Sequence, residues 1–325
     1  MRPMPESIAT IIGSSRQLLP ASDSARIDCE LLLCLCLGKN RAQLIAQDDE
    51  KLTSKQSKQF CSLLKRRQEG EPIAYILGYQ EFWGHNFLVD KHTLIPRPDT
   101  ELLIDIILDR FDHKPRTIMD LGTGSGALAV TLKQTRCDWH VLATDLSATS
   151  LNMAQQNTPA DTSIMFLQAN WLDCIDNACI DLVVANPPYI ASNDPALANL
   201  RFEPRNALVS ADNGLRDLSK IIGQAEQVLT IDGCLLLEHG YTQQPEVERL
   251  MKTAGFRTEK FNDLSGQPRA MIGCELTLLV LRPCLMTGCS ELSWAWIVCD
   301  FKNLYWDLYH FDWVFITDSR RRNID

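Results

Sequence analysis

The sequence lacks any long uninterrupted apolar segment. The apolar run at residues 31–37 is far shorter than the roughly 20 residues that a membrane-spanning helix needs. The beginning of the chain also lacks the basic segment followed by an apolar core that marks a secretory signal. We therefore expect a cytoplasmic protein that does not enter a membrane.

Positive charge is also scarce in most of the chain. The formal net charge is −9, and residues 1–75 carry 11 basic and 9 acidic side chains, so the remainder carries −11. An acidic carboxyl-terminal part argues against a protein that holds a phosphate backbone through bulk charge, although it does not exclude local basic contacts. No direct contact with nucleic acid is expected.

Paired ligands at the close spacing of metal sites are missing. The chain has 12 cysteines, and the one local cluster, Cys284, Cys289 and Cys299, lacks a fourth ligand and the C-x2-C spacing of zinc sites. No metal is expected. Cysteines in apolar runs are most simply buried free thiols of a reducing compartment. These are Cys29, Cys34, Cys36, Cys61 and Cys234.

Residues 4–78 have the apolar spacing of a small helical bundle. Ser24 is placed to cap one helix that stops at Gly38, and another helix starts near Thr53. Aromatic residues around Gly84 then predict a β-hairpin at residues 79–95, which links the bundle to the next domain. Asp99 or Thr100 is placed to cap the helix that follows.

From Thr117 onward, apolar strands and amphipathic helices alternate. Strands are predicted at residues 118–121, 141–144, 164–168, 182–185 and 234–238, with helices between most of them. Alternation at this pitch is typical of a doubly wound α/β fold, whose parallel sheet is covered by helices on both faces. Ligands of such folds bind at the carboxyl ends of the strands.

One of these strands, residues 183–185, ends abruptly in Asn186-Pro187-Pro188-Tyr189. Two consecutive prolines can neither continue a sheet nor enter a helix, so they predict a stiff loop that holds Asn186 at the strand end. The Asn186 side-chain oxygen and the Pro187 carbonyl can accept the two hydrogens of a planar NH2 group, while Tyr189 can cover its face. The sequence thus predicts a site for an amide or an amino-substituted base.

Three further motifs follow earlier strands. The glycine-rich turn 120–126 joins the first strand to a helix and has the spacing G-x-G-x-G, which differs from the dinucleotide fingerprint. Asp145 ends the second strand, where an acid contacts ribose hydroxyls in nucleotide-type sites, although a helix cap is the alternative. Trp171 follows the third strand and suits either a flat base or the core.

These motifs, in this order, resemble those of the S-adenosylmethionine-dependent methyltransferases. More narrowly, the chain resembles the HemK/PrmC family, the peptide chain release factor N5-glutamine methyltransferases, over roughly residues 5–275. The narrower resemblance rests on the helical amino-terminal part and on the segments 82–84 (Phe-Trp-Gly), 95–101 (Ile-Pro-Arg-Pro-Asp-Thr-Glu), 120–126, 186–190, 203–205 (Glu-Pro-Arg) and 207–208 (Ala-Leu).

The resemblance implies an enzyme that transfers a methyl group from S-adenosyl-L-methionine to the glutamine of the Gly-Gly-Gln motif in class 1 release factors, and so modulates translation termination. It implies Asn186, Pro187 and Tyr189 as catalytic residues, and Asn186, Pro187, Pro188 and Tyr189 as the substrate site. The residues that it implies for cofactor binding are Gly122, Thr123, Gly124, Ser125, Gly126, Asp145, Trp171 and Asn186.

The fold implied by the resemblance is a Rossmann-like class I methyltransferase sheet with an antiparallel last strand, preceded by a small helical bundle. We predict a helical substrate-recognition domain at 1–78, a linking hairpin at 79–95 and the methyltransferase domain at 96–275. Residues 276–325 form an atypical tail that carries four of the seven tryptophans and is expected to be poorly ordered. A monomer is expected.

Other functions remain open at this point. A glutamine of a ribosomal protein is an alternative substrate, because that group of enzymes shares the Asn-Pro-Pro-Tyr tetrapeptide. An exocyclic amine of DNA or RNA would present the same NH2 geometry, but such enzymes usually carry a basic recognition surface. A non-enzymatic cofactor-binding module is a further alternative. It would be expected to have lost the Asn-Pro-Pro-Tyr motif, yet residues 186–189 are intact.

Overall fold

The structure, a computed structural model, describes residues 7–175 and 178–275. Its first part is a helical bundle around a core that includes Ile8, Leu32, Leu33 and Phe60. The bundle helices are α1 (Ile8–Gly13), α2 (Ser15–Leu18), α3 (Ala25–Leu37), α4 (Arg41–Ala46), α5 (Ser54–Gln68) and α6 (Ile73–Leu77).

The helix ends of the bundle follow the predicted signals with one exception. Helix α3 ends at Gly38, whose φ is 64°, and Thr53 caps α5 by accepting the backbone N–H of Gln56 at 3.3 Å. The predicted cap at Ser24 is wrong, because Ser24 precedes α3 without a capping hydrogen bond. Its hydroxyl instead donates to the carboxylate of Asp28 at 2.9 Å, since that buried charge needs donors.

A two-stranded hairpin, β1 (Tyr79–Phe82) and β2 (His85–Leu88), follows the bundle; it confirms the hairpin predicted around Gly84 but ends at Leu88, short of the predicted bound at residue 95. The buried rings of Phe82 and Phe87 meet edge to face, with centroids 6.1 Å apart. The backbone N–H of Trp83 in the turn donates to Glu101 of the following helix at 2.9 Å. The hairpin, which follows the bundle directly along the chain, is therefore bound to the next helix.

Helix α7 (Pro98–Arg110) begins earlier than predicted. Arg97 occupies the capping position and Pro98 the first helical position, where the missing N–H and fixed φ of proline are favourable. The predicted cap at Asp99 or Thr100 is therefore wrong, and both residues lie inside the first turn of α7.

A mixed sheet forms the second part, and its antiparallel last strand β9 confirms the predicted fold class. The strand order is β5-β4-β3-β6-β7-β9-β8. The strands are β3 (Thr117–Leu121), β4 (His140–Asp145), β5 (Ile164–Gln168), β6 (Ile180–Ala185), β7 (Leu229–Glu238), β8 (Phe256–Asn262) and β9 (Pro268–Glu275). The helices of this part after α7 are α8 (Ala127–Thr135), α9 (Ala148–Asn157), α10 (Ala211–Gly214), α11 (Arg216–Val228) and α12 (Gln244–Thr253).

Strand β6 shows why the sheet is covered on both faces. Leu182 and Val184 belong to one apolar core, whereas Val183 and Ala185 belong to the other, as the alternation of side chains along a strand requires. The order of strands reverses between β3 and β6, which are parallel neighbours. This is the switch point at which open α/β sheets bind ligands, so the chain segments that follow β3 and β6 are placed at the expected site.

Cys234 corrects the interpretation of the cysteines as free thiols. It lies directly opposite Cys274 in the antiparallel pair β7–β9, with Cα atoms 4.2 Å apart, and the two sulfur atoms form a disulfide. The sequence gives no sign of this pairing, because it depends on the register of two strands whose paired cysteines are 40 positions apart. Cys29, Cys34, Cys36 and Cys61 are free, but only Cys29 is buried; Cys34 and Cys36 are half-buried, and the expected burial of Cys61 is wrong because its side chain is exposed.

Some predictions fall outside the described residues. These are the poorly ordered tail at 276–325 and the cluster Cys284, Cys289 and Cys299. Within residues 7–175 and 178–275, no group of three or more potential ligand side chains could hold a metal ion. In the same residues no helix has the length and apolar character needed to cross a bilayer.

Candidate active site

The turn after β3 contains three glycines in the same uncommon backbone conformation. Gly122, Gly124 and Gly126 have φ of 68°, 57° and 84°, in the left-handed region that glycine adopts most readily. A Cβ on Gly122 would lie 3.2 Å from the ring of Trp171, and one on Gly126 would lie 3.0 Å from the Cβ of Ala154 in α9. The turn therefore brings the backbone close to a cavity wall on one side and to α9 on the other.

Asp145 ends β4 beside this turn. Its Oδ2 accepts the N–H of Gly124 at 3.0 Å, and its Oδ1 accepts that of Ser147 at 2.8 Å. The cap of α9 is the Ser147 side chain, which accepts the N–H of Ser150, so Asp145 is not needed for that role. Burial raises the pKa of Asp145, whereas the two N–H donors act to lower it. Because a carboxylate offers about four acceptor positions, both oxygens can still accept a pair of hydroxyl groups.

Asp120, in the last part of β3, is only 1% exposed. Its Oδ2 accepts the hydroxyl of Thr123 at 2.6 Å and the N–H of Ala129 at 3.2 Å. Burial raises the pKa of Asp120 to about 7, the neighbouring charge of Asp145 raises it too, and the two donors oppose the rise. A carboxyl near neutrality at the wall of a cavity can change its protonation when a charged ligand binds.

Trp171 lies at the wall of the same cavity and packs over Gly122. Its φ is 58°, which is uncommon for a residue other than glycine. Its indole N–H donates to Asp217 at 3.1 Å, and Asp217 also accepts the hydroxyl of Ser210. These contacts fix the ring at the cavity wall, with one side against the core, which suits the predicted place beside a flat base.

Asn186 leaves the end of β6 next to the glycine turn, because β6 and β3 are parallel neighbours. Its Nδ2 donates to the hydroxyl of Thr100 in α7 at 2.9 Å. No described residue donates a hydrogen bond to its Oδ1. The side-chain oxygen is therefore available as a hydrogen-bond acceptor, and its predicted role toward a substrate stays a prediction.

Glu238, at the end of β7, connects the two polar side chains of the Asn-Pro-Pro-Tyr corner. Its Oε2 accepts the hydroxyl of Thr100 at 2.7 Å, and its Oε1 accepts that of Tyr189 at 3.0 Å. Glu238 is only 1% exposed. Burial raises its pKa, while the two hydroxyl donors and the charge of Arg269 act in the opposite direction. Burial and the charge of Glu238 likewise raise the pKa of Tyr189.

Asn186 is the residue at which the predicted parts of the site meet. It lines a cavity together with the glycine turn, the second-strand acid and the indole, and two adjoining cavities as well. The first cavity contains Gly122, Gly124, Asp145, Trp171, Asn186 and Pro188. The second contains Asn186, Pro187, Pro188 and Tyr189, and the third contains Thr123 and Ser125 beside Asn186. Gly126 lies against α9 instead.

Sequence reasoning missed several side chains at this site. Leu146 lines the first cavity and is 64% exposed, and its position immediately after Asp145 at a strand end is a signal that could have identified it. His92 and Leu94 reach the same cavity from the segment after the hairpin, where no motif marks them.

The wall of the second cavity is fixed by a buried carboxylate, Glu203. It accepts the N–H of Ile95 at 3.1 Å and forms an ion pair with Arg97. The loop that carries Glu203 is thereby attached to the segment that precedes α7. Two of the sequence segments behind the family resemblance, residues 95–101 and 203–205, are thus in contact in the structure.

The backbone of Tyr189 is held from the other side of the corner. Gln243 donates from Nε2 to the carbonyl oxygens of Tyr189 at 3.0 Å and Asn213 at 3.2 Å, and its Oε1 accepts the N–H of Gly240 at 2.9 Å. Gly214, with φ of 85°, lies directly against the Tyr189 carbonyl. Hydrogen bonds therefore hold both the side chains of the corner and the backbone at Tyr189, where the chain leaves the corner.

Comparison with known proteins identifies both parts of the chain. The PrmC N-terminal domain matches residues 11–78, and the Methyltransferase small domain matches residues 98–204. The release factor glutamine methyltransferase of Salmonella typhimurium is 42% identical over 257 residues, which cover 78% of this chain and 93% of that protein. The Escherichia coli protein of the same name is 40% identical over 260 residues, covering 78% and 94%. That of Coxiella burnetii is 42% identical over 264 residues, covering 79% and 95%.

These matches extend over more than nine tenths of each relative and therefore include the bundle as well as the sheet. They confirm the resemblance inferred from the glycine turn, the Asn-Pro-Pro-Tyr corner and the segment at residues 95–101. The chain belongs to the release factor glutamine methyltransferase family.

Proposed function

We propose that the protein transfers a methyl group from S-adenosyl-L-methionine to the side-chain nitrogen, N5, of the glutamine in the Gly-Gly-Gln motif of class 1 peptide chain release factors. The observation that carries the proposal is the position of Asn186. Its Oδ1, which accepts no hydrogen bond from residues 7–175 and 178–275, lies at the junction of the cavity beside the glycine turn and the cavity of the Asn-Pro-Pro-Tyr corner. An acceptor for an amide hydrogen is thus adjacent to a pocket suited to a nucleoside.

The residues around the first cavity fit S-adenosylmethionine. The left-handed turn at Gly122 and Gly124 leaves room for backbone contact with the amino-acid portion, and Asp145 has free acceptor capacity for the ribose hydroxyls. Trp171 and Leu146 offer apolar surface for the adenine. When bound, this donor supplies a methyl group that its sulfonium charge has already activated.

The corner would act on the glutamine by orientation and electrostatics. An amide nitrogen is a weak nucleophile because its lone pair is delocalised into the carbonyl group. Acceptance of its two hydrogens by Asn186 Oδ1 and the Pro187 carbonyl would align the nitrogen and stabilise the positive charge that grows on it. Tyr189, whose hydroxyl is bound by Glu238, would cover the flat face.

The surplus proton is expected to leave the nitrogen after methyl transfer. Among the described residues no ionisable side chain hydrogen-bonds Asn186 directly, and Glu238 reaches it only through Thr100. A basic side chain within reach of Asn186 that proves essential for turnover would contradict this expectation.

The decisive assay offers labelled S-adenosylmethionine with three acceptors. They are a purified class 1 release factor, the same factor with the glutamine of its Gly-Gly-Gln motif changed to alanine, and duplex DNA. We expect label on the intact factor alone. Label on the alanine variant or on DNA would overturn the proposed substrate, and a further arm with ribosomal protein tests the sibling reaction.

A nucleic-acid amine is the weaker alternative. It rests on the same acceptor geometry at Asn186, but the carboxyl-terminal part of the chain is acidic, with −11 for residues 76–325. We further propose that the protein is a cytoplasmic monomer. Its helical domain, residues 1–78, would recognise the release factor, and residues 96–275 would carry out the reaction.

Binding of S-adenosylmethionine near neutral pH should release protons from Asp120. Its pKa is raised to about 7 by burial, and the ammonium group of the cofactor's amino-acid portion, placed near the glycine turn, would lower it by favouring the charged form. Titration calorimetry at pH 7 in two buffers with different ionisation enthalpies measures this release. The buffer dependence should vanish in Asp120→Asn, and a wild-type heat independent of buffer would refute the assignment.

A further inference from the structure

We infer that Glu238 and Thr100 are positioning residues that decide which atom of the Asn186 carboxamide faces the substrate. The inference deepens the proposed function and rests on it, because an oxygen facing the cavity accepts the substrate amide whereas an NH2 group would repel it. Neither residue belongs to the glycine turn or to the Asn-Pro-Pro-Tyr corner.

The three side chains form a relay of two hydrogen bonds. Asn186 Nδ2 lies 2.9 Å from the Thr100 hydroxyl, and that hydroxyl lies 2.7 Å from Glu238 Oε2. Thr100 is 6% exposed and Glu238 1%, so the hydroxyl and the carboxylate are largely shielded from water. The relay crosses the sheet edge from β6 through α7 to β7, and therefore joins three separate elements.

A hydroxyl has a single proton, and this fixes the direction of the relay. An ionised carboxylate can only accept, so the proton of Thr100 must point to Glu238. The Thr100 oxygen then has only lone pairs for Asn186, which must present its NH2 group to it. The Asn186 oxygen is consequently turned to the cavity. The negative charge of Glu238, which is two hydrogen bonds away from Asn186, thus determines that the oxygen and not the NH2 group of the carboxamide faces the substrate.

Tyr189 strengthens this assignment from the other carboxylate oxygen. Its hydroxyl donates to Glu238 Oε1 at 3.0 Å, so both oxygens act as acceptors at the same time. A neutral carboxyl has one O–H and must donate to one of these two hydroxyls. Where it donates to Thr100, that hydroxyl can turn its proton to Asn186 Oδ1, and the amide reverses. Only the ionised form enforces the productive orientation.

The ionisation of Glu238 should therefore appear in the rate. Burial raises its pKa and Asp99 acts in the same direction, while the Thr100 and Tyr189 hydroxyls and the charge of Arg269 oppose the rise. Because the ionised form is the productive one, kcat is expected to fall as the pH drops through a value above the ordinary glutamate range. Glu238→Gln reproduces the neutral carboxyl, so its kcat should be low and should lack this acid limb.

The matched pair Thr100→Val and Thr100→Ser tests the relay most directly. Valine keeps the shape of threonine but removes the hydroxyl, whereas serine keeps the hydroxyl. We expect kcat to fall roughly 10- to 100-fold in Thr100→Val, since a hydrogen bond to the substrate amide is lost or reversed. KM for the release factor and the affinity for S-adenosylmethionine should change little, and Thr100→Ser should stay within a few-fold of the wild type.

A second readout does not depend on turnover. In the full-length protein labelled with 15N-asparagine, the Asn186 side-chain NH2 protons should be protected from exchange in the wild type and in Thr100→Ser, and should lose protection in Thr100→Val. The Asn186→Ala spectrum assigns the signal. Equal kcat and equal protection in the valine and serine variants would overturn the relay. Failure of the wild type to methylate a release factor would overturn the proposed substrate, while the amide signal would still decide the relay.

Discussion

Replacing Asn186 by alanine is expected to lower kcat by about 10³-fold, because an acceptor aimed at the charge that develops in the transition state is removed. The affinity for S-adenosylmethionine should change by no more than a few-fold, since the glycine turn, Asp145 and Trp171 remain in place. Single-turnover transfer of labelled methyl to a release factor measures the first quantity, and titration calorimetry the second.

Asn152→Ala is the matched control for this variant. Asn152 lies on the exposed face of α9, and its side chain does not line the cavities around Asn186. It should keep wild-type kcat and wild-type cofactor affinity. Wild-type turnover in Asn186→Ala would refute the acceptor role of the Asn186 side chain. It would also refute the proposed alignment of the substrate amide.

The residues found from sequence share a local signal. The glycine turn, Asp145, Trp171 and the Asn-Pro-Pro-Tyr corner each follow a predicted strand directly, and parallel strands present their carboxyl ends at one edge. Thr100 could not be found in this way, because it lies on α7 and not after a strand, whereas Glu238 ends the predicted strand 234–238 and carries the same local signal. The contacts of Thr100 with Asn186 and Glu238 join residues 86 and 138 positions apart. From the sequence, Thr100 was interpreted as a candidate helix cap and as part of the segment 95–101 behind the family resemblance.

Local capping rules failed for a related physical reason. Ser24 and Thr100 are good capping residues by type, but each lies near a buried carboxylate, Asp28 or Glu238, and donates its hydroxyl to that group instead. A buried charge needs donors more strongly than a helix end that can reach other partners. The Cys234–Cys274 disulfide was missed because the register of β7 and β9 has no sequence signature.

The buried position of Glu238 disfavours the ionised carboxylate that the proposed relay requires. A folded-state pKa above the unfolded value means that the contribution of this carboxyl to stability is fully present below the unfolded pKa and is lost as pH rises through the folded pKa. The proposed relay requires the ionised form, which exists only above that folded pKa. Ionisation of Glu238 therefore lowers the stability of the folded protein but is needed for turnover. Such a trade-off between stability and activity is expected at an active site.

Gly214→Ala is expected to destabilise the protein by about 3 kcal/mol and to abolish methyl transfer in the fraction that stays folded. A Cβ at Gly214 would lie 2.0 Å from the carbonyl oxygen of Tyr189 and 2.7 Å from Gln243 Nε2, and the φ of 85° is itself unfavourable for alanine. The overlap involves backbone, so the Tyr189 carbonyl must move, and the Gln243 bond that fixes the exit of the corner is broken.

Gly223→Ala separates this effect from the general consequences of adding a methyl group. Gly223 lies within α11, and a Cβ there meets nothing within 4 Å, so alanine should be neutral or stabilise the protein by about 0.4–1 kcal/mol. Urea unfolding of both variants measures the difference in free energy, and labelled methyl transfer at low temperature measures activity. Wild-type stability and turnover in Gly214→Ala would mean that the corner tolerates displacement, and that its fixed geometry is not what aligns the substrate.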